Sequence, residues 1–176
     1  MNQNIILVNH KDEAIGETTI INSHLGEAKL HRAYTVILRN NKGEILLTKR
    51  SLKKPLWPTY WDGSFSSHPR VGETLEQSCE RRAKEELGIE VKDFKDLFNY
   101  SYHIKWNTVF SEREINHILI AEYNNDFINP NPEEVDEYQW MSWDEAIKFS
   151  SNKKNLIAPW WEITIEQSMA KRIKII

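Results

Sequence analysis

Three histidines and two glutamates carry the clearest metal-binding chemistry in this chain. His24 and His31 precede a first pair of strand-like segments, His68 follows them, and Glu112 and Glu114 stand at the entry of a later one. The two glutamates are two positions apart, so an extended backbone projects both side chains to the same face. Imidazole nitrogens combined with carboxylate oxygens suit an octahedral divalent ion, Mn²⁺, Mg²⁺ or Zn²⁺, with one position left for water or substrate. By spacing alone, histidines in a chain of this size are more often surface or hydrogen-bonded core residues than ligands.

A second cluster is basic. Lys49, Arg50, Lys53 and Lys54 follow a strand, and Arg81 and Arg82 fall in a helical segment. A guanidinium fork with ammonium point charges is what a diphosphate requires, and Glu86, one turn beyond Arg82, has the reach to hold a Mg²⁺ bridging protein and phosphate oxygens. The competing reading is a solvated charged face in which Arg82 and Glu86 form an i, i+4 pair. A third group is aromatic: Trp57, Trp61, Trp160 and Trp161 with Tyr60 and Tyr102, in a chain of seven tryptophans. An indole face stabilises a carbocation that offers no hydrogen bond, and it also fills a core.

The elements that must position these groups follow from periodicity. Strand patterns run over Ile5 to Val8, Tyr34 to Leu38 and Glu44 to Thr48, the last two joined by the turn residues Asn40 to Gly43. Leu75, Cys79, Ala83 and Leu87 recur at helical spacing between Glu73 and Gly88, predicting an amphipathic helix that starts after a Gly-Glu-Thr turn. Further strands are expected over Lys95 to Ile104, Glu114 to Glu122 and Glu137 to Met141, with helices near Trp143 to Phe149 and from Ala158 to Lys171. The polar stretch Asn124 to Glu134 reads as an exposed connection. Strands and helices mix without regular βαβ alternation, which favours an α+β arrangement.

A chain of 176 residues with 40% hydrophobic composition has the size of one domain with a substantial core, so residues 1–176 are expected to form a single domain. The net charge of -3 provides no field for gathering nucleic acid. Cys79 is the only cysteine, excluding an intrachain disulfide and pointing to a reducing, cytoplasmic setting. No run approaches the roughly 20 apolar residues of a spanning helix, and no signal-like N-terminal pattern occurs, so neither export nor membrane insertion is expected.

Several short motifs, in matching order and separation from about Ile5 to Gln167, resemble the type I isopentenyl-diphosphate isomerases, a branch of the Nudix fold. They are H-L-G-E-A-K-L-H at His24 to His31, K-R-S-L-K-K-P-L-W-P at Lys49 to Pro58, S-S-H-P at Ser66 to Pro69 and R-R-A-K-E-E-L-G at Arg81 to Gly88. E-R-E at Glu112 to Glu114, E-Y-Q-W at Glu137 to Trp140 and A-P-W at Ala158 to Trp160 complete the set. The resemblance implies a Nudix-type α/β/α sandwich with a mixed sheet. It also implies that His24, His31, His68, Glu112 and Glu114 bind one metal, Mn²⁺, Zn²⁺ or Mg²⁺, and that Glu86 holds the Mg²⁺ shared with a prenyl diphosphate. Arg50, Lys54 and Arg82 match the diphosphate contacts, Tyr102 the active-site tyrosine and Trp160 the indole facing the reacting carbons. The implied protein is a cytoplasmic monomer or weak homodimer.

The family moves a carbon–carbon double bond through a tertiary carbocation, with an acid and a base flanking a dry pocket. Those groups are a cysteine and a glutamate, the latter matching Glu114. Here the cysteine position is Ser66, a lysine often found four residues before the first histidine is Ile20, and the common W-T-N is Trp61-Asp62-Gly63. An aliphatic hydroxyl does not ionise near neutral pH, so Ser66 needs a strong partner to take the thiol's part. The expected activity is therefore isopentenyl-diphosphate isomerisation, slowed at Ser66. The alternatives are cyclisation or rearrangement of a larger prenyl diphosphate, non-catalytic prenyl-diphosphate binding, and Nudix hydrolysis. The last is disfavoured because Arg81-Arg82 stands where the hydrolase branch places a metal carboxylate.

Overall fold

The computed structural model describes residues 4–125, 127–153, 156–173 and 175. The central strand β3 (His31–Arg39) is buried along almost its whole length because both of its faces are covered. Tyr34, Val36 and Leu38 pack against helix α2 (Leu75–Leu87) through Cys79, Ala83 and Leu87. Ile37, on the opposite face, joins the core formed with helices α3 (Trp143–Asn152) and α4 (Pro159–Ala170). Helices thus lie on both faces of one mixed sheet, the expected α/β/α sandwich.

In that sheet β3 runs parallel to β8 (Ser111–Glu122), and β8 is antiparallel to β7 (Lys95–Lys105). Strand β4 (Glu44–Arg50) pairs along its length with β9 (Val135–Ser142). The Asn40–Gly43 turn joins β3 to β4 as expected, yet their ladder is reduced to Arg39 opposite Ile45. Two short strands, β5 (Trp61–Asp62) and β6 (Phe65–Ser67), enter where β3 and β4 splay, β5 pairing with β4 and β6 with β3. Ser64 ties this insertion down, accepting from the Leu38 amide at 2.7 Å and donating to the Leu46 carbonyl at 2.8 Å. A methyl group on Gly63 would stand 2.8 Å from Thr35 Cγ2 and 3.2 Å from the Trp161 ring, so only glycine allows this approach.

The predicted helix over 73–87 forms with a capping box between Thr74 and Gln77 and a left-handed Gly88 cap. The C-terminal helices and the strands after α2 also lie where the periodicity puts them, except that β8 starts at Ser111, so both glutamates are inside the strand. The first strand β1 (Asn4–Val8) does not stand alone. It makes a hairpin with β2 (Ala14–Thr19), whose AIGETT sequence is mostly exposed and therefore has no apolar alternation to detect. The five-residue helix α1 (Ile20–His24) is too short to show a period; Thr19 caps it. The described residues of the 124–134 connection are irregular and largely exposed, but Ile128 is buried and Glu134 folds inward.

One charge network braces the far side of this sheet. His117 on β8 lies 2.7 Å from Asp96 of β7 and 2.9 Å from Asp12 in the β1–β2 turn, and Asp12 also accepts from Arg32. Burial disfavours a charged imidazole, yet the two carboxylates outweigh it and raise the His117 pKa. A raised folded pKa gives stabilisation that is fully present below the unfolded value of about 6.5 and lost as pH rises through the folded value. His117→Gln should lower stability by about 2 kcal/mol under mildly acidic conditions. Urea denaturation across a pH series checks this, since the deficit should narrow as the medium turns alkaline.

Candidate functional site

Strand register assembles the site. His31 on β3 is opposite Glu114 on β8, and Glu114 is opposite Tyr102 on β7, so one row across three strands carries an imidazole, a carboxylate and a phenol. The period of two adds Glu112 and Asn116 from β8 and Ala33 and Thr35 from β3 on the same face. Strand β6, on the other side of β3, brings Ser66 and delivers His68 just beyond its end. His24 arrives from the last turn of α1 and is buried. All of these groups except the fully buried His31 line the floor of a cavity of about 410 Å³, walled by Arg50, Lys54, Arg82, Glu134, Phe110 and Trp160 and edged by Ile20 and Ile21.

His24, His31, His68, Glu112 and Glu114 each offer one ligand atom, all within 4.8 Å of one another. Burial of five such groups at one point is costly unless a cation or shared protons hold them. His24 Nδ1 faces the Ile20 carbonyl at 2.6 Å and His31 Nδ1 faces the Lys29 carbonyl at 2.7 Å. A carbonyl only accepts, so both Nδ1 atoms carry a proton and both Nε2 atoms turn to the cluster, the backing that metal-bound histidines have. His24 Nε2 and Glu112 Oε2 are 2.7 Å apart but poorly aligned for a hydrogen bond; with His31 Nε2 they are buried polar atoms without a partner. Orphaned atoms aimed at a common point fit a divalent ion.

The electrostatics agree. Burial opposes a charged His24, but Glu112 and Glu114 raise it to about 9. Burial, with the other two rings nearby, pushes His68 down to about 4 against the pull of Glu114. Burial and the charge of Glu114 push Glu112 up to about 8. Glu114 itself, despite its burial, is held well below the carboxylate range by His31 and His68. Protons shared among these rings and carboxylates occupy the role that a cation fills when it binds.

The basic residues gather at the other end. Arg50 donates to the carbonyls of Trp57 and Leu56 at 3.0 and 2.8 Å, and its guanidinium covers the Trp160 ring at 5.2 Å. Lys54 pairs with Glu134, which also lies 3.2 Å from Arg82. Glu134 was read only as part of the polar connection and is a wall residue that sequence reasoning missed. Glu86 is not brought to the cavity or to the five-ligand cluster. It is 4% exposed and pairs with Arg82 at 2.6 Å, the ion-pair reading of that helix.

Of the aromatic group, Trp57, Trp61 and Trp161 are core residues, while Trp160 packs edge-on against Trp57 and also reaches the cavity. The Tyr102 hydroxyl donates to Glu114 Oε2 at 2.6 Å, and burial beside two carboxylates raises its pKa well above 10. Ser66 donates to Asp62 Oδ1 at 3.2 Å. Asp62 is 1% exposed, and its Oδ1 also accepts from the Gly63 amide at 2.7 Å and the Trp160 indole at 2.9 Å. Burial raises its pKa, with Arg50 the main opposing influence. Sequence reasoning notes Asp62 only as a departure from W-T-N; its signal is an acidic residue between Trp61 and Gly63.

Residues 29–160 match the NUDIX domain model. The chain is 31% identical over 169 residues to the isopentenyl-diphosphate Delta-isomerase of Haloarcula marismortui, covering 94% of this chain and 90% of that protein. It is 32% identical to isopentenyl-diphosphate Delta-isomerase 1 of Photorhabdus laumondii, covering 91% of each. Among solved structures, DR0079 from Deinococcus radiodurans superposes with a TM-score of 0.68 at 20% identity, covering 86% of this chain and 90% of that one. The MutT protein from Methanosarcina mazei gives 0.67 at 19%, covering 82% and 96%. At these identities the structural likenesses establish the fold.

Proposed function

The chain belongs to the NUDIX family and, within it, to the isopentenyl-diphosphate Delta-isomerases, and from that premise we propose that it converts isopentenyl diphosphate to dimethylallyl diphosphate. The observation that carries this reading is the convergence of the His24, His31, His68, Glu112 and Glu114 ligand atoms beside a cavity whose opposite end is basic. In this reading those five residues hold Mn²⁺, Zn²⁺ or Mg²⁺, which supplies fixed positive charge and keeps Glu114 in place. Arg50, Lys54 and Arg82 would bind the diphosphate, which would arrive with Mg²⁺, and Glu86 would hold that ion only after giving up its ion pair with Arg82.

Tyr102 and Glu114 deliver the proton from one side of the cavity and regain one from solvent. Ser66 faces the reacting carbons from the far side of β3. The Trp160 ring, with its indole N–H held by Asp62, stabilises the positive carbon and helps exclude water. All of this takes place within one domain.

Incubation with isopentenyl diphosphate and Mg²⁺ in heavy water should place deuterium in dimethylallyl diphosphate, detected by mass spectrometry. Stripping divalent ions should abolish the exchange, and adding Mn²⁺, Zn²⁺ or Mg²⁺ back should restore it. No exchange at high protein concentration would remove this reading. A second substrate class is favoured by one feature: Ile20, where the resemblance places a lysine, makes an apolar lip with Ile21, the two being 48% and 61% exposed. Turnover of geranyl or farnesyl diphosphate with none of the five-carbon substrate would select that alternative.

A further inference from the structure

Asp62 does not reach the cavity, but a chain of hydroxyls connects it there. The Asn116 amide nitrogen is 3.1 Å from Thr35 Oγ1 and 3.1 Å from the Tyr100 hydroxyl. Tyr100 gives its own proton to the Trp160 carbonyl at 2.6 Å, so it accepts from Asn116 and the amide NH₂ faces both oxygens. Thr35 Oγ1 is 2.9 Å from Ser66 Oγ, and Ser66 Oγ is 3.2 Å from Asp62 Oδ1. The Asn116 amide nitrogen only donates and Asp62, as a carboxylate, only accepts; the Asn116 carbonyl oxygen, 3.5 Å from Thr35 Oγ1, is the more distant partner. Every hydrogen bond therefore points from Asn116 through Thr35 and Ser66 to Asp62. A hydroxyl has two lone pairs, and Ser66 uses one to accept from Thr35. The other is available on the cavity side, where Ser66 is a lining residue.

We propose that Ser66 and Asp62 act as a two-residue base, Ser66 touching the substrate and Asp62 receiving the proton, at the position where the resemblance places a single cysteine. This rests on the isomerase reading. When the tertiary carbocation collapses, the electrons of the breaking C–H bond become the new C=C bond. The released proton bonds to the free lone pair of Ser66 Oγ while the hydroxyl proton of Ser66 moves to Asp62 Oδ1. Ser66 leaves the step as the neutral hydroxyl it was, and Asp62 becomes a neutral acid. The proton that forms the carbocation comes from the Tyr102–Glu114 side and is replaced from solvent; Asp62 returns its proton to solvent through Ser66 as product leaves, so the cycle balances.

No alkoxide is required, which is the difficulty an isolated serine would meet. A carbocation is acidic enough for a carboxylate to deprotonate, and burial strengthens Asp62 as a base. The charged and titratable groups facing Asp62 are Arg50 from β4, 3.7 Å from Oδ2, and Tyr100 from β7; α4 contributes the neutral Trp160 indole. Arg50 is also the residue assigned to the diphosphate, so neutralising Asp62 leaves it a second anion to face. Asp62 is thus a positioning residue that acts through Ser66.

The experiment compares wild type, Asp62→Asn, Ser66→Cys and the double variant in the heavy-water exchange assay, with thermal melting and near-UV circular dichroism as checks on folding. Asp62→Asn should lower kcat roughly 10²-fold with KM little changed. A thiol needs no carboxylate behind it, so the double variant should turn over like Ser66→Cys alone. Two results overturn the proposal while leaving the isomerase reading in place: wild-type kcat in Asp62→Asn, or an equal loss from Asp62→Asn in the serine and cysteine backgrounds, the mark of a purely structural role. Absence of exchange in wild type and Ser66→Cys alike removes both.

Discussion

Replacing Glu114 by glutamine lowers isomerase turnover roughly 10⁴-fold, the upper end of what one positioned acid–base group contributes. The loss is this large because Glu114 serves two functions with two oxygens. Oε1 faces His31 at 3.2 Å and His68 at 2.9 Å, and Oε2 accepts from Tyr102 at 2.6 Å. Glutamine keeps the volume and can still accept from Tyr102, so the fold survives. It lacks the charge that holds the ion and the basicity that exchanges a proton with Tyr102. Glu112→Gln provides the contrast, because Glu112 shares the ligand cluster but has no hydrogen bond to Tyr102; its loss should be smaller and partly reversed by excess metal. Steady-state kinetics with metal-binding calorimetry measure both. Comparable turnover in Glu114→Gln and wild type would exclude the assigned role.

Arg82→Leu should have the largest effect on stability, about 3–5 kcal/mol, the cost of removing one partner from a buried ion pair. Arg82 stands between Glu86, at 2.6 Å, and Glu134, at 3.2 Å, and Glu86 is almost fully enclosed. Without the guanidinium, Glu86 is a buried charge with no counter-ion. Substrate affinity should fall as well, since Arg82 lines the basic end of the cavity. A second substitution separates the two consequences: Arg82→Leu combined with Glu86→Leu should recover much of the stability, read by urea denaturation, while KM stays high. Recovery of both would mean that Arg82 matters only as the partner of Glu86.

The clearest helix was legible from Leu75 to Leu87 because its period and caps are local properties of the chain. The β1–β2 hairpin and α1 were not, since an exposed strand lacks alternation and a single turn has no period. The β5–β6 insertion was hidden for a different reason. Two strands of two and three residues acquire meaning only from the gap between β3 and β4 that they fill.

For the site, residue types and spacing alone determined which side chains are chemically capable: three imidazoles, two carboxylates on one face of a strand and a basic cluster; Ser66 was marked only by the resemblance to the isomerases. Those are properties of covalent structure and backbone period. Only the tertiary structure decided which of them meet. The parallel register of β3 on β8 sets His31 beside Glu114, a pairing of residues 83 positions apart that no local pattern encodes. The same packing turned Glu134 into the cavity and placed Asp62 behind Ser66, whereas the Arg82–Glu86 pair is local, i to i+4 along α2. Distance and burial, which set the energy of every charge in the site, exist only once the chain has closed on itself.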